Sequence, residues 1–431
     1  MIHFAGTLGF GDLASLAGDE SLFAATATEK LERLQANLQP LAERYDVVVA
    51  NPPYMGSNNM NKWLAGWTKN TYPNSKRDLC TCFIERGQNL AVDHGYEALI
   101  TSDTCMYISS FEQLRKNILS RSTIVGFIDT RGTNAHPDVF DANAGWVLHN
   151  AFVKGVKGTY FKLNQAIAAK EAGFLEALAN PNCEWSYRTK SETFAEIPGT
   201  PIVYWAGNAV INAFREGVPV SKIGQPRQGL ATGENARFVR QWWEVGLNRE
   251  WFDCPSLSDS INSQIKWFPY NKGGEYRKWY GNNDCVVNWE NDGHEIRNFT
   301  DDKGKQLSRP QNTQCYFKPC ITWSKISSGS IAFRFKPAGH IFDVAGTSIF
   351  AEEQQLKYLH GACNSSVILQ IAGMLSPTLN FEVGQIATYP IIVDSMRENE
   401  IFSLVDENYL LSKSDWDSTE TSWDFGRHPL V

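Results

Sequence analysis

Tyr45-Asp46-Val47-Val48-Val49-Ala50-Asn51-Pro52-Pro53-Tyr54 is the stretch on which the fold turns. Its β-branched residues run without alternation, as in a strand buried on both faces, and the Pro-Pro pair stops the run. The next residues repeat the cycle. A helix is predicted over 78–92, a turn at Asp93-His94-Gly95, a strand over 97–101, a helix over 111–119 and a strand over 124–129. Strands alternating with helices predict an α/β fold built on a parallel, doubly wound, Rossmann-like sheet. Upstream, Leu31, Leu34, Leu38 and Leu41 fall at helical spacing inside a helix predicted over 24–43. Past Lys157 the segments become short, aromatic and broken by Pro and Gly, which predicts an α+β region with one helix near 354–363. The expected organisation is an entry segment (1–44), a partial doubly wound sheet (45–157), the α+β region (158–395) and an acidic tail (396–431), a solvated cap or a disordered end.

A chain of 431 residues can form two or three cores, and 42% hydrophobic with 20% charged residues excludes collagen-like and disordered classes. No apolar run approaches the ~20 residues that span a bilayer, and the start Met1-Ile2-His3-Phe4 lacks a basic leader, so the cytoplasm is expected with no membrane partner. Nine scattered cysteines fit a reducing compartment. Cys80-Thr81-Cys82 and Cys315…Cys320 lack second pairs at zinc-finger spacing, so no metal is expected. A net charge of −7 excludes a uniformly basic nucleic-acid binder but not local patches.

Asn51, Pro52, Pro53 and Tyr54 fall just past the carboxyl end of the first strand, where open α/β sheets gather ligands. Their chemistry suits an aromatic exocyclic amine, a poor nucleophile because its lone pair is delocalised into the ring. The Asn51 side-chain carbonyl and the Pro52 backbone carbonyl can accept its two hydrogens and draw the nitrogen toward tetrahedral geometry. Both prolines stiffen the turn, Pro52 offers no competing N–H, and Tyr54 supplies a face for an extruded base. The same tetrad also suits RNA bases and protein glutamine amides.

On these residues the chain resembles the gamma-type adenine-specific N6 DNA methyltransferases, whose catalytic domain precedes a C-terminal target-recognition domain. It is most similar to the large methyltransferase of BREX phage-defence systems, related to the fused restriction–modification enzymes. The resemblance rests on Asp46 to Tyr54, on Asp78-Leu79-Cys80-Thr81-Cys82-Phe83-Ile84-Glu85-Arg86, on Gly95 to Thr101, and on Phe111-Glu112-Gln113-Leu114-Arg115. It continues through Gln228 to Arg240 and Pro377 to Gly384. It implies S-adenosylmethionine as methyl donor, double-stranded DNA as substrate, and Phe140, in His136-Pro137-Asp138-Val139-Phe140, as a second aromatic against the flipped adenine. It also implies a glycine-rich turn and an acidic strand end upstream of the tetrad for the cofactor. Gly6-Thr7-Leu8-Gly9-Phe10-Gly11 has barely a strand before it and reads better as a loop. The chain is therefore expected to be a truncated or split member, with an uncovered sheet edge and an upstream methyltransferase polypeptide or other phage-defence subunit as partner.

Two basic groups are candidates for DNA contact. From Lys303 to Lys336 there is no Asp or Glu, and Lys318, Lys325, Arg334 and Lys336 are interleaved with aromatics. Arg227, Arg237 and Arg240 surround Gly229-Leu230-Ala231-Thr232-Gly233, a turn that could aim N–H groups, with Thr232, at a phosphate. Trp242-Trp243 and Trp279-Tyr280 are expected in the core. The first functional expectation is adenine N6 methylation in duplex DNA, in phage defence or restriction–modification. The alternatives are a catalytically silent DNA-binding fragment and, behind it, methylation of protein glutamine or RNA.

Overall fold

The computed structural model describes residues 22–130, 143–163, 170–327, 329–376, 380–428 and 430. Two compact units divide the chain, Met1–Trp205 and Ala206–Val431. No helix among the described residues is long and apolar enough to cross a membrane.

In the first unit, helix α1 (Leu22–Ala42) leads into β1 (Tyr45–Ala50), α2 (Lys62–Thr71), α3 (Leu79–Leu90), β2 (Ala91–Ser102), α4 (Glu112–Arg121) and β3 (Thr123–Asp129). After these come β4 (Asn143–His149), β5 (Lys157–Lys162), α5 (Lys170–Ala179) and β6 (Ser186–Lys190). The six strands form one sheet in the order β1-β2-β4-β3-β5-β6. β1 and β2 are parallel, as are β3 and β5, while β4 runs antiparallel to both its neighbours and β6 antiparallel to β5. The fold is α/β, but the sheet is mixed rather than wholly parallel. β4 returns antiparallel to both β2 and β3, which an alternation of helices and parallel strands does not predict. β1, β2, β3 and β5 still end at one common edge.

β1 differs from the buried strand that its sequence predicts. It forms the sheet's border, and Val47 and Val49 are 58% and 72% exposed. Pairing of Val47 with Tyr96 and Val49 with Ala98 extends that open face into β2 and β4, where Tyr96, Ile100 and Val147 are also exposed. On the opposite face Leu99, Trp146, Leu148, Phe127 and Tyr160 pack against Ile84 of α3 and Leu114 and Ile118 of α4. Each such side chain contributes about 1.5–3 kcal/mol on burial. The rings of Phe127 and Trp146 meet edge to face at 4.7 Å, and Tyr160 stacks on Tyr204 at 5.0 Å.

Helix α3 can approach β2 closely because residue 87 is glycine. A Cβ there would lie 2.0 Å from a carboxyl oxygen of Glu97 on β2. Glu97 is fully buried, and among the described residues neither of its carboxyl oxygens has a hydrogen-bond partner. Desolvation holds this carboxyl well above the usual carboxylate range, opposed by Arg121, so it sits in the core as a neutral acid.

The boundary expected at 157/158 does not coincide with the division of the fold. β5 and β6 extend the same sheet, and the first unit runs to Trp205. These strands escape a periodicity reading because they are short and lie between loops. In the second unit the strands Ile341–Phe342, Trp267–Asn271, Cys285–Asn288 and Val239–Gln241 form one four-stranded sheet, in that order. Phe333–Lys336, Cys320–Trp323, Ser348–Phe350 and Gln225–Arg227 form another. Phe268, Tyr270, Trp289, Tyr316 and Phe342 build its core. The expected acidic tail is instead largely a helix, Glu398–Asp417, because Val405 and Trp416 bury themselves while the acids stay outside. Lys413 pairs within the helix with Asp417 at 2.5 Å and ties it to the residues that follow through Asp424 at 2.9 Å.

Candidate active site

β1 delivers Asn51 to the carboxyl edge of the sheet, where Asn51 and Pro53 are exposed, Pro52 is buried and Tyr54 is half-buried. One side chain fixes the turn. The Asp78 carboxylate accepts from the Met55 N–H at 3.2 Å and from the Cys80 N–H at 3.0 Å, where it caps α3. A single group thus ties the residue after the tetrad to the start of the next helix. Thr81 reinforces it, donating its hydroxyl to the carbonyls of Ser75 and Asp78, both at 2.7 Å. Burial, then the neighbouring Cys80, Asp78 and Cys105, push the Tyr54 phenol up to about 12. Tyr54 is therefore a neutral ring over the physiological range, suited to stacking rather than to proton transfer.

The floor of the edge comes from β2 and α4. Trp146 donates its indole N–H to Thr101 at 2.9 Å, and the Ser102 N–H points to the Cys80 sulfur at 3.5 Å. Burial pushes the Cys80 thiol up, as it does that of Cys105, so neither serves as a nucleophile. Arg115, the last residue of the Phe111–Arg115 stretch, organises this edge. Almost wholly buried, it donates to the carbonyls of Cys105 at 2.9 Å, Ile108 at 2.8 Å, Gly199 at 2.6 Å and Thr200 at 3.1 Å. Burial lowers its pKa to about 10, leaving it charged. The available signal was its place on the stripe of Phe111, Ile118 and Leu119, a cation where helical spacing calls for an apolar residue. At the end of β3 the buried Asp129 accepts from the Tyr204 hydroxyl at 2.9 Å.

The structure brings together the tetrad and its supports. Phe140, the Gly6–Gly11 cluster and Pro377-Thr378-Leu379 lie outside the described residues. Arg334 and Lys336 are buried and cannot meet a phosphate in this fold. Lys336 donates to the carbonyls of Gly281 at 2.8 Å and Asn282 at 3.0 Å and to the Asn283 side chain, and burial lowers its pKa to about 7. Arg334 donates to Ser324 and to the Arg277 carbonyl, both inside the same unit. Thr232 is also buried, its hydroxyl on Asn235 at 2.8 Å. The Gly229–Gly233 turn has no spare N–H groups at Leu230 and Ala231, which donate to Phe342 and Arg309. Gly229 is required there for another reason: a Cβ would lie 1.9 Å from the Phe342 carbonyl.

Lys325 pairs with Glu382 at 3.1 Å, and Arg240 donates to the carbonyls of Ala236 and Val239 while lying over Trp267. Arg227 is half-buried, bonded to Gln225. Arg237 and Lys318 remain exposed, Arg237 flanked by Phe238 and Phe299 at about 5 Å. Trp243, expected in the core, is 49% exposed, whereas Tyr280 is buried.

Residues 17–136 match the family model of the Eco57I restriction-modification methylase. Over 399 residues, 91% of the chain, the sequence is 37% identical to the adenine-specific methyltransferase PglX of Lacticaseibacillus casei (strain Zhang). It is 34% identical over 398 residues to the adenine-specific methyltransferase BrxX of Escherichia coli O9:H4 (strain HS). The chain spans 33% and 31% of the length of these relatives. Among solved structures, the Type IIL restriction-modification enzyme MmeI, determined in complex with DNA, shares the fold with a TM-score of 0.50. That match is 12% identical and covers 88% of this chain and 50% of MmeI.

Proposed function

From a chain homologous along 91% of its length to about a third of the adenine-specific methyltransferases PglX and BrxX, we propose that this protein holds the target adenine for N6 methylation of duplex DNA in phage defence. The observation that carries this reading is the placement of Asn51-Pro52-Pro53-Tyr54 at the carboxyl end of β1, in a turn fixed by Asp78. The Asn51 and Pro52 carbonyls accept the two N6 hydrogens, which aligns the nitrogen lone pair with the methyl donor. Tyr54 stacks on the extruded ring. No strong base is needed, because the amine can shed its proton after it has attacked.

S-adenosylmethionine supplies the methyl group. The described residues fit the base-holding part of the reaction; upstream of β1 they comprise α1 and no strand, so none is assigned to the donor's methionine or ribose. We infer that an upstream methyltransferase polypeptide or another phage-defence subunit supplies that part. Its seat would be the open face of Val47, Val49, Tyr96, Ile100 and Val147, too apolar to be left in water at no cost.

Tritiated S-adenosylmethionine and duplex DNA, mixed with the chain with and without that polypeptide, test the reading. Label in DNA with the partner supports a split enzyme, and label without it a chain active alone. No label in either mixture, with DNA still bound, supports a silent DNA-binding fragment.

A further inference from the structure

Between Met55 and Leu79 the chain leaves the sheet and returns. Its neck is closed by the Leu79 N–H on the Met55 carbonyl at 2.9 Å, the Ser57 N–H on the Arg77 carbonyl at 2.8 Å, and an antiparallel bridge between Gly56 and Asp78. Tyr54 stands at that neck, and α2 lies within the excursion. The segment's charge is unlike that of the chain. Acids outnumber bases 47 to 40 overall, yet from Val47 to Arg77 there is no Asp or Glu, against Lys62, Lys69, Lys76 and Arg77.

Trp63, in the first turn of α2, is 73% exposed. It is not a loose side chain. Its ring lies 3° from parallel with that of Trp67 at 6.3 Å, and Trp67 is braced edge-on by Tyr72 at 5.5 Å. Lys62 and Lys69, two helical turns apart and therefore on one face, are exposed, as is Arg77 at the neck. A Cβ at Gly66, between them, would meet nothing within 4 Å. An exposed, pre-oriented indole flanked by cations that pair with no acid among the described residues has the composition of a nucleic-acid strand site: aromatic faces take bases and Lys takes phosphates. A protein partner fits it less well, since Lys is depleted in protein interfaces.

We propose that α2 is a second DNA contact of the tetrad's own loop. Trp63 stacks on a base or sugar exposed beside the flipped nucleotide, while Lys62, Lys69 and Arg77 neutralise phosphates of the same strand. The proposal rests on the reading of the chain as one that acts on DNA, and it binds the stacking surface to the clamp through the neck at Gly56 and Asp78.

Anisotropy of an end-labelled duplex carrying one abasic site, titrated with the purified chain across a salt series, tests it. Trp63→Ala is expected to weaken binding about tenfold, with Trp63→Phe recovering most of the loss. Lys62→Gln/Lys69→Gln is expected to lower the slope of log affinity against log salt by about 2. Melting followed by circular dichroism should be unchanged in all three, since these side chains lie outside the core. Unchanged affinity and slope, with the wild-type chain bound, would overturn the proposal and leave the clamp reading standing. Failure of the wild-type chain to bind the duplex, both alone and with the upstream polypeptide, would overturn both. Loss of association with the upstream polypeptide by Trp63→Ala, with DNA affinity intact, would overturn it in favour of a protein interface.

Discussion

The turn after β1 and the strand Phe333–Lys336 use their polar groups in opposite directions. At the turn, Asp78 spends its carboxylate on two backbone N–H groups and so leaves Asn51 exposed at the sheet's edge. In the strand, Lys336 spends its own ammonium on Gly281, Asn282 and Asn283, and Arg334 its guanidinium on Ser324 and Arg277. A group satisfied by its own protein has nothing left for a ligand. The ligand-facing groups are the ones that a neighbour orients but does not consume, and this separates Asn51 from Lys336 more sharply than residue type does.

The largest effect expected from breaking that contrast is catalytic. Asn51→Ala, assayed with the upstream polypeptide, should lower methyl transfer by roughly 10²–10³, or about 3–4 kcal/mol, with duplex affinity unchanged. Equal losses in rate and affinity would place Asn51 in DNA binding instead. Next, Lys336→Met should cost about 3 kcal/mol in urea unfolding, because three acceptors lose a buried donor. A variant with wild-type stability and weakened DNA binding would restore Lys336 to the DNA-contact set. Arg115→Ala should be similarly damaging, and by the same measurement, since it strips a charged donor from four carbonyls, those of Cys105 and Thr200 buried and those of Ile108 and Gly199 partly so.

Glu97 gives a smaller, pH-dependent effect. Its folded pKa lies above the unfolded value, so the unfolded chain ionises first as pH rises. Stability is then lost between the ordinary carboxylate pKa and the raised folded one, with a slope approaching about 1.4 kcal/mol per pH unit for this proton. Glu97→Gln should match the wild type near pH 4 and exceed it increasingly toward pH 8. Parallel stability–pH curves for the two proteins would show that Glu97 does not carry this linkage. The smallest change belongs to Arg237→Ala, which should lower the salt slope of duplex binding by about 1 without altering stability. An unchanged slope would remove Arg237 from contact with phosphate.

The tetrad, α3, β2, α4 and β3 were legible because each rests on local rules: a buried-type strand, a Pro-Pro stop and Asp78 before an apolar helix. The turn expected at Asp93-His94-Gly95 lies instead within β2, as an irregularity in its pairing with β1 where His94 takes a φ of 66°. Burial and pairing partners were not legible where they depend on distant residues. Val47 and Val49 read as buried, yet the side on which they lie open is set by β1's place at the border. The cations from 303 to 336 look like a patch until the fold separates the exposed Lys303, Lys305, Arg309 and Lys318 from the buried Arg334 and Lys336. The helix Glu398–Asp417 was hidden by its charge, although Val405, Tyr409, Ser412 and Trp416 recur at helical spacing. Nothing local marks Trp63, since a Trp is ordinarily mostly buried and its exposure beside Lys62 and Lys69 shows only in the fold.

The central claim, that Asn51 to Tyr54 hold an adenine for methylation, is tested most directly by the product itself. Duplex DNA treated with S-adenosylmethionine, the chain and the upstream polypeptide can be digested to nucleosides and resolved by mass spectrometry. N6-methyldeoxyadenosine with the wild-type chain and its loss with Asn51→Ala is the predicted result; equal yield from the variant, or a methyl group on cytosine alone, would contradict it.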